Sequence, residues 1–245
     1  MTDLDISIIA MMIAIVSCAI TIAARARSRT RHSDPIEVLP CIRARRSVFP
    51  RSFTAHREVR AAEVQVLLDA AMWAPFHGSR PPWRFIVLGR KAMVEMQRRT
   101  LDFYDKNWRT HGWANGKHGT EAQYLAWRAM TEAEIHGRWG PVSYMIAIVM
   151  QRQAGSARLP EWEEAAATAC AVQNMAIQAG ASRDLACYWS SWHDAYRDSA
   201  DMRAFLHIGD EDRCLGLFIV AARDPGLKDG RSRDRKTHIV VEWRD

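Results

Sequence analysis

A chain of 245 residues, 48% hydrophobic and 25% charged, has ordinary composition for one globular domain with a small appendage and is long enough to bury a real core. The formal net charge is +6; the first 32 residues hold four Arg against two Asp, leaving a modest, scattered +4 that argues against a nucleic-acid footprint. Five widely spaced cysteines (Cys18, Cys41, Cys170, Cys187, Cys214) form no C-x-x-C pair, the nine histidines contain no H-E-x-x-H, and neither a Rossmann G-x-G-x-x-G nor a P-loop is present, so a disulfide framework, the readiest metal sites and the usual nucleotide motifs are disfavoured.

From Ile6 to Ala24 no residue is charged, and at ~1.5 Å rise per residue such a stretch just spans a ~30 Å hydrocarbon core. Arg25, Arg27, Arg29 and Arg31 follow it. A cleaved leader would carry positive charge ahead of its apolar run, whereas Asp3 and Asp5 stand there. The expectation is a retained single-pass anchor, with the positive-inside rule placing everything after Arg25 on the cytoplasmic side. Residues 1–32 are therefore read as membrane anchor and basic flank, and 33–245 as the functional domain.

Asp34 as N-cap and Pro35 at the first helical position predict a helix start, with Pro40 kinking or delaying a helix that ends near Arg45. Arg45, Arg46 and Ser47 then form either a solvated helix end or an anion clamp, since two guanidinium forks beside a hydroxyl match phosphate oxygens. Val64, Leu67, Leu68 and Ala71 recur at helical spacing, and Pro75, Gly78, Pro81 and Pro82 break that helix into a loop. Trp83 to Leu88 reads as a strand; Lys91 to Trp108 and Thr120 to His136 read as helices around a Gly-containing loop. Trp108, Trp113, Trp127 and Trp139 in this region suit either core packing or a lid over an aromatic-lined pocket.

Pro141 to Met150 is the near-continuous apolar run of a strand buried on both faces. Pro160 to Gly180 is an Ala-rich helix with Gly180 as its cap, and its small residues suit a close approach at a protomer interface. Ala186 to Ser190 and Arg213 to Ala222 read as strands and Tyr196 to Leu206 as a helix between them. A polar arm from Leu227 to Lys236 and a weak final strand from His238 to Trp243, free to stay in its own sheet or to cross to a partner subunit, complete an α+β layer architecture.

Four stretches in this order resemble the FMN-dependent nitroreductase family: Arg45-Arg46-Ser47, Ala70-Ala71-Met72-Trp73-Ala74-Pro75, Pro81-Pro82-Trp83-Arg84-Phe85 and Ala171-Val172-Gln173-Asn174-Met175. Within it, Ala74-Pro75-Phe76-His77, Pro160-Glu161-Trp162-Glu163 and Trp189-Ser190-Ser191 are similar to motifs of the short YdjA-type members. The resemblance spans about Pro35 to Asp224. It implies a central mixed, mainly antiparallel sheet flanked by helices, here with an N-terminal transmembrane helix added.

The resemblance also implies FMN as cofactor, NAD(P)H as electron donor, a homodimer, and ping-pong hydride transfer to a small nitroaromatic, quinone or similarly flat substrate. Carried over by position, Arg45, Arg46 and Ser47 would hold the FMN phosphate and ribityl chain. His77 would reach the flavin from the partner subunit, with Ser79 in the same loop, and Trp189, Ser190 and Ser191 would line it. Arg223 would be a second phosphate ligand, and Arg80 or Arg84 would stabilise reduced flavin. Three departures stand against the pattern: Pro81 for a Gln, Trp73 for an Arg, and Ser190 for an Arg. An iodotyrosine-deiodinase-like reductive dehalogenase and a non-catalytic, membrane-tethered flavin-binding protein are the alternatives.

Overall fold

The computed structural model describes residues 37–114, 116–226 and 241–244. The uncharged stretch from Ile6 to Ala24, the helix start at Asp34 and Pro35, and the arm from Leu227 to Lys236 lie outside the described residues, as do the first three positions of the expected last strand. Among the described residues no helix is long and apolar enough to cross a membrane. One unit of the chain ends at Leu39, and its residues 37–39 carry no regular structure; everything below belongs to the unit that begins at Pro40.

In chain order that unit comprises helix α1 (Pro40–Ala44), a 3-10 turn (Pro50–Ser52), strand β1 (Phe53–Thr54), α2 (Ala61–Ala71), β2 (Trp83–Leu88), α3 (Arg90–His111), α4 (Glu121–Gly137) and β3 (Val142–Met150). A second 3-10 turn (Gly155–Ala157), α5 (Glu161–Ala181), β4 (Leu185–Ser190), α6 (Asp194–Arg197), α7 (Ala200–Leu206) and β5 (Arg213–Arg223) follow. β5 pairs with both β3 and β4, β2 pairs with β3, and β1 pairs with the end of β5 at Phe53↔Arg223 and Thr54↔Ala222.

All of these pairings are antiparallel, in keeping with the mainly antiparallel sheet expected, and among the described residues no parallel pair makes it mixed. The reason lies in the connections. α3 and α4 form a helical hairpin, with Trp108 stacked on Tyr124 at 4.9 Å and Arg128 bonded to Asp105, which returns the chain to the end of the sheet it left. Thr120 starts α4 through a capping box with Gln123, its hydroxyl accepting from the Gln123 amide.

The apolar runs in β3 and β5 are buried on both faces as expected, and period-two alternation divides them between two cores. Ile146, Ile148, Phe218 and Val220 pack with Leu67 of α2 and with Val172 and Met175 of α5. Met145, Ala147, Leu217 and Ile219 pack with Met96 and Tyr104 of α3, Tyr196 of α6 and Met202 of α7. The result is three layers, helix, sheet and helix.

Two boundaries differ from expectation. α5 continues through Gly180 to Ala181 and ends on Ser182, so Gly180 is not its cap. The expected helix from Tyr196 to Leu206 is divided, because the Ser199 hydroxyl accepts from the Met202 amide and starts α7 afresh. Residues 241–244 are not in a strand.

Candidate functional site

The Arg45-Arg46-Ser47 segment leaves α1 and lies along β4. The Val48 amide donates to the Cys187 carbonyl at 3.0 Å, and the Phe49 ring meets Tyr188 at 5.0 Å. On its other side the segment rests on α5, where a Cβ at Gly180 would come within 3.0 Å of the Arg45 Cα. The Arg46 guanidinium folds back onto the Arg43 and Arg45 carbonyls at 2.6 and 2.9 Å, neutralising the carbonyl end of α1. Arg45 and Arg46 are half-buried and Ser47 is exposed.

The Trp189-Ser190-Ser191 segment continues the same strand. Val48 joins it at Cys187, three residues before Ser190, about 10 Å at ~3.3 Å per residue. The Trp189 indole donates to the Leu215 carbonyl at 2.9 Å and lies over Gly216, whose φ of 123° places it where side chains are strained. A Cβ at Gly216 would stand 2.4 Å from the Ser190 carbonyl oxygen and 2.7 Å from Trp189 Nε1, so only glycine lets the strand end close.

Immediately beyond, Trp192 adopts φ 57°, uncommon for a bulky residue. Two bonds hold it there: its amide donates to Ser190 Oγ at 3.1 Å, and its indole donates to Thr100 Oγ1 at 3.0 Å. Arg197 closes the turn by donating to the Ser191 carbonyl at 3.0 Å.

Arg223 stands at the other end of β5. Its amide donates to the Asp184 carbonyl at 2.9 Å, whereas Ser190 pairs with Leu217, six residues or about 20 Å along the strand. Arg223 is thus far from Trp189–Ser191 and lies where α5 gives way to β4, the side on which Gly180 meets Arg45.

His77 and Ser79 are exposed in the loop after α2. The His77 imidazole pairs through Nδ1 with Glu163 in the first turn of α5. Seventeen residues of that helix, about 25 Å at ~1.5 Å per residue, separate Glu163 from Gly180. Within one protomer, His77 and Ser79 do not join the Arg45–Ser47 segment.

Arg84 is not available as a cation for a ligand. Its guanidinium donates to the carbonyls of Leu206 and His207 at 3.1 and 2.8 Å, capping α7, and its Nε is buried without a partner. Arg80 remains exposed in the loop.

Most of the tryptophans of the middle segment are packing residues. Trp108 and Trp113 are buried with Tyr124, while Trp127 and Trp139 are half-buried and approach His193 and Trp192 respectively. One group here escaped the sequence: a cavity of about 120 Å³ lined by Thr131, Glu134, Ile135, Trp139, Ser190, Trp192 and His193. Burial pushes the His193 imidazole down to about 4 from its ordinary 6.5, against the opposing pull of Asp194 and Glu134. A second, open groove of about 440 Å³ runs between α2 and α5 beside Trp73, which is 86% exposed.

Residues 42–222 match the sequence pattern of the Nitroreductase family. No curated protein matches the chain. A nitroreductase with bound FMN from Bacteroides fragilis is 19% identical with a TM-score of 0.59, over 85% of this chain and 100% of that one. A nitroreductase-like family protein from Bacillus cereus is 20% identical with a TM-score of 0.56, over 86% of this chain and 99% of that one. A variant of an FMN and NADPH-dependent nitroreductase from Sphigopyxis sp. is 18% identical with a TM-score of 0.59, over 84% of this chain and 100% of that one. At such identities the likeness is one of fold.

Proposed function

The chain belongs to the nitroreductase family, and from that premise we propose that it is an FMN-dependent NAD(P)H oxidoreductase acting on flat electrophiles such as nitroaromatics and quinones. The observation that carries this reading is the seating of Arg45–Ser47 between Gly180 and the edge of β4, on the strand that ends in Trp189–Ser191. A phosphate-bearing flavin fits that donor set: guanidinium forks and a hydroxyl at one end, and at the other an indole whose orientation is fixed by the Leu215 carbonyl. When bound, FMN would supply the hydride transfer, taken from NAD(P)H and passed to the second substrate in a ping-pong exchange.

The chain's own residues bind and orient. Arg45, with Arg223 at the same end of the sheet, would place positive charge for the phosphate. Trp189 and the turn through Ser191 offer a rigid wall and shield the reacting face from water. Arg80 is the candidate cation for the reduced ring, since Arg84 is committed to the end of α7.

The two ends of α5 support a homodimer. A two-fold axis crossing that helix near its middle would bring the His77–Glu163 end of one copy beside the Arg45 end of the other, which supports His77 and Ser79 acting across the interface. The apolar surface around Trp73 and Ile177 would be covered in the same step. The uncharged stretch from Ile6 to Ala24 supports a membrane tether at the cytoplasmic face, close to lipophilic acceptors.

The test is an absorbance spectrum of the purified full-length protein, followed by anaerobic titration with NADH and NADPH. Bound flavin that bleaches on titration and recovers with a quinone or nitroaromatic is the expected result. Protein without flavin that oxidises no NAD(P)H with either acceptor overturns the reading.

A further inference from the structure

The formal charge of the chain is not spread evenly along it. Six arginines against one glutamate between residues 40 and 60 hold +5 of the total +6, whereas residues 61–245 hold +1. Three of the six are engaged within the fold: Arg57 and Arg60 pair with Glu63 at 2.8 and 3.1 Å, and Arg46 lies on the carbonyl end of α1. Arg45 belongs to the proposed flavin site. Arg43 in α1 and Arg51 in the first 3-10 turn are exposed.

Apolar side chains interleave with these two cations. Ile42 is 46% exposed and Phe49 is 49% exposed, although the Phe49 ring leans on Tyr188 at 5.0 Å. Arginines beside half-exposed apolar groups are the composition of a surface that enters a lipid headgroup layer, guanidinium on phosphate and apolar side chain at the acyl boundary. A nucleic acid would engage the arginines but leave Ile42 and Phe49 in water. A second protein chain would bury the apolar pair but has no need of the excess charge.

The chain itself says which surface lies within reach. The uncharged stretch ends at Ala24, and the fifteen residues 25–39 join it to Pro40. Fully extended, such a link spans at most roughly 50 Å. A covalent link of that reach makes docking intramolecular, with an effective concentration on the order of millimolar, so even a weak surface contact becomes populated.

We propose that Ile42, Arg43, Phe49 and Arg51 form a docking surface for an anionic bilayer, with the arginines on lipid phosphates and the apolar pair in the headgroup layer. The apolar stretch would tether the domain, and this surface would orient it. The inference rests on the tether reading for its reach to the membrane. None of the four residues belongs to the proposed flavin site.

The test follows Cys41, the exposed thiol next to Ile42. In full-length protein carrying Cys18→Ala and Cys170→Ala, with Cys187 and Cys214 buried, a bimane reagent labels Cys41. The protein is reconstituted into vesicles of phosphatidylcholine, alone or with about 30% phosphatidylglycerol, that carry a doxyl-labelled lipid as quencher. Bimane is expected to be quenched in the anionic vesicles, and several-fold less in neutral ones or at about 1 M salt, where the Debye length is ~3 Å. Arg43→Gln and Arg51→Gln are each expected to lower the docked-to-undocked ratio about five-fold, and Ile42→Gln to lower it as well. Arg51→Gln lies outside α1, so it remains informative if an α1 variant fails to fold.

An alkaline wash reads the tether separately. An unquenched Cys41 overturns the docking surface, whether or not the protein resists the wash. Quenching in protein that washes off keeps the surface and removes the tether. Cys41 shielded from aqueous iodide but not quenched by lipid gives the surface to a protein partner and overturns the proposal, as does equal quenching in both kinds of vesicle.

Discussion

Gly180 and Arg45 touch backbone to backbone: a Cβ on the glycine would lie 3.0 Å from the Arg45 Cα and 3.5 Å from its amide nitrogen. A glycine in the last turn of a long helix costs about 1 kcal/mol against alanine, and here that cost secures the position of the Arg45–Ser47 segment. Gly180→Ala is expected to gain from helix propensity what it loses by displacing Arg45 a few tenths of an ångström. Its melting temperature should change by only a few degrees, while the FMN dissociation constant, followed by flavin fluorescence, should rise several-fold. An unchanged affinity would separate the clamp from the cofactor.

Arg45→Ala combined with Arg46→Ala is expected to release FMN and keep the fold. The Arg46 bonds lost are two exposed or half-buried caps at the end of a five-residue helix, worth ~1 kcal/mol together. Flavin in the filtrate after ultrafiltration, with an unaltered circular dichroism spectrum, is the check.

Gly216→Ala is expected to be far more damaging. Its φ of 123° and the 2.4 Å approach to the Ser190 carbonyl leave no space for a methyl group, and the Trp189 to Leu215 bond lies on top of it. A loss of about 2–3 kcal/mol in denaturant unfolding is expected.

The buried pair of Arg152 and Glu164 sets the loop that leads into α5. Glu164 is fully buried and accepts from Arg152 at 2.6 Å and from the Leu159 amide at 3.0 Å. Glu164→Ala would strand the guanidinium and is expected to cost about 3–5 kcal/mol, seen as a large drop in melting temperature. Replacing both residues with apolar ones should recover much of that loss.

His193 makes stability depend on pH in a stated direction. Its folded value is depressed from 6.5 to about 4, so the imidazole is neutral in both states above pH 6.5, and protonation favours the unfolded chain below it. Stability is therefore expected to fall as the pH drops from 6.5 to about 4, by at most ~3 kcal/mol from this one group. Asp194 and Glu134 oppose the shift but do not cancel the burial. The stability of His193→Phe, measured across the same range, should lack this component.

The layer architecture was legible because the runs in β3 and β5 are apolar at both parities, which only a strand covered on two faces requires. The Arg45–Ser47 segment and the turn at Ser190 were legible as motifs, but their adjacency was not, since it depends on the Val48 to Cys187 bond. Gly180 was misread because a glycine near a helix end serves equally as a cap or as a point of close approach, and only the partner backbone decides. Ser199 hid a helix start inside a periodic stretch, and Arg84 concealed a capping role behind a motif. The His193 cavity left no trace in the sequence, because its two halves are distant in the chain and it is defined by the space between them.

Trp192 holds its left-handed backbone through an anchor on Thr100, a residue of α3 that itself donates to the Met96 carbonyl at 2.8 Å. The turn is thus moulded as the chain folds, and a ligand arriving beside it meets a finished surface with little ordering entropy left to lose. Position 100 becomes a tuning screw for the turn: loss of the hydroxyl there would loosen the grip on the Trp192 indole from beneath.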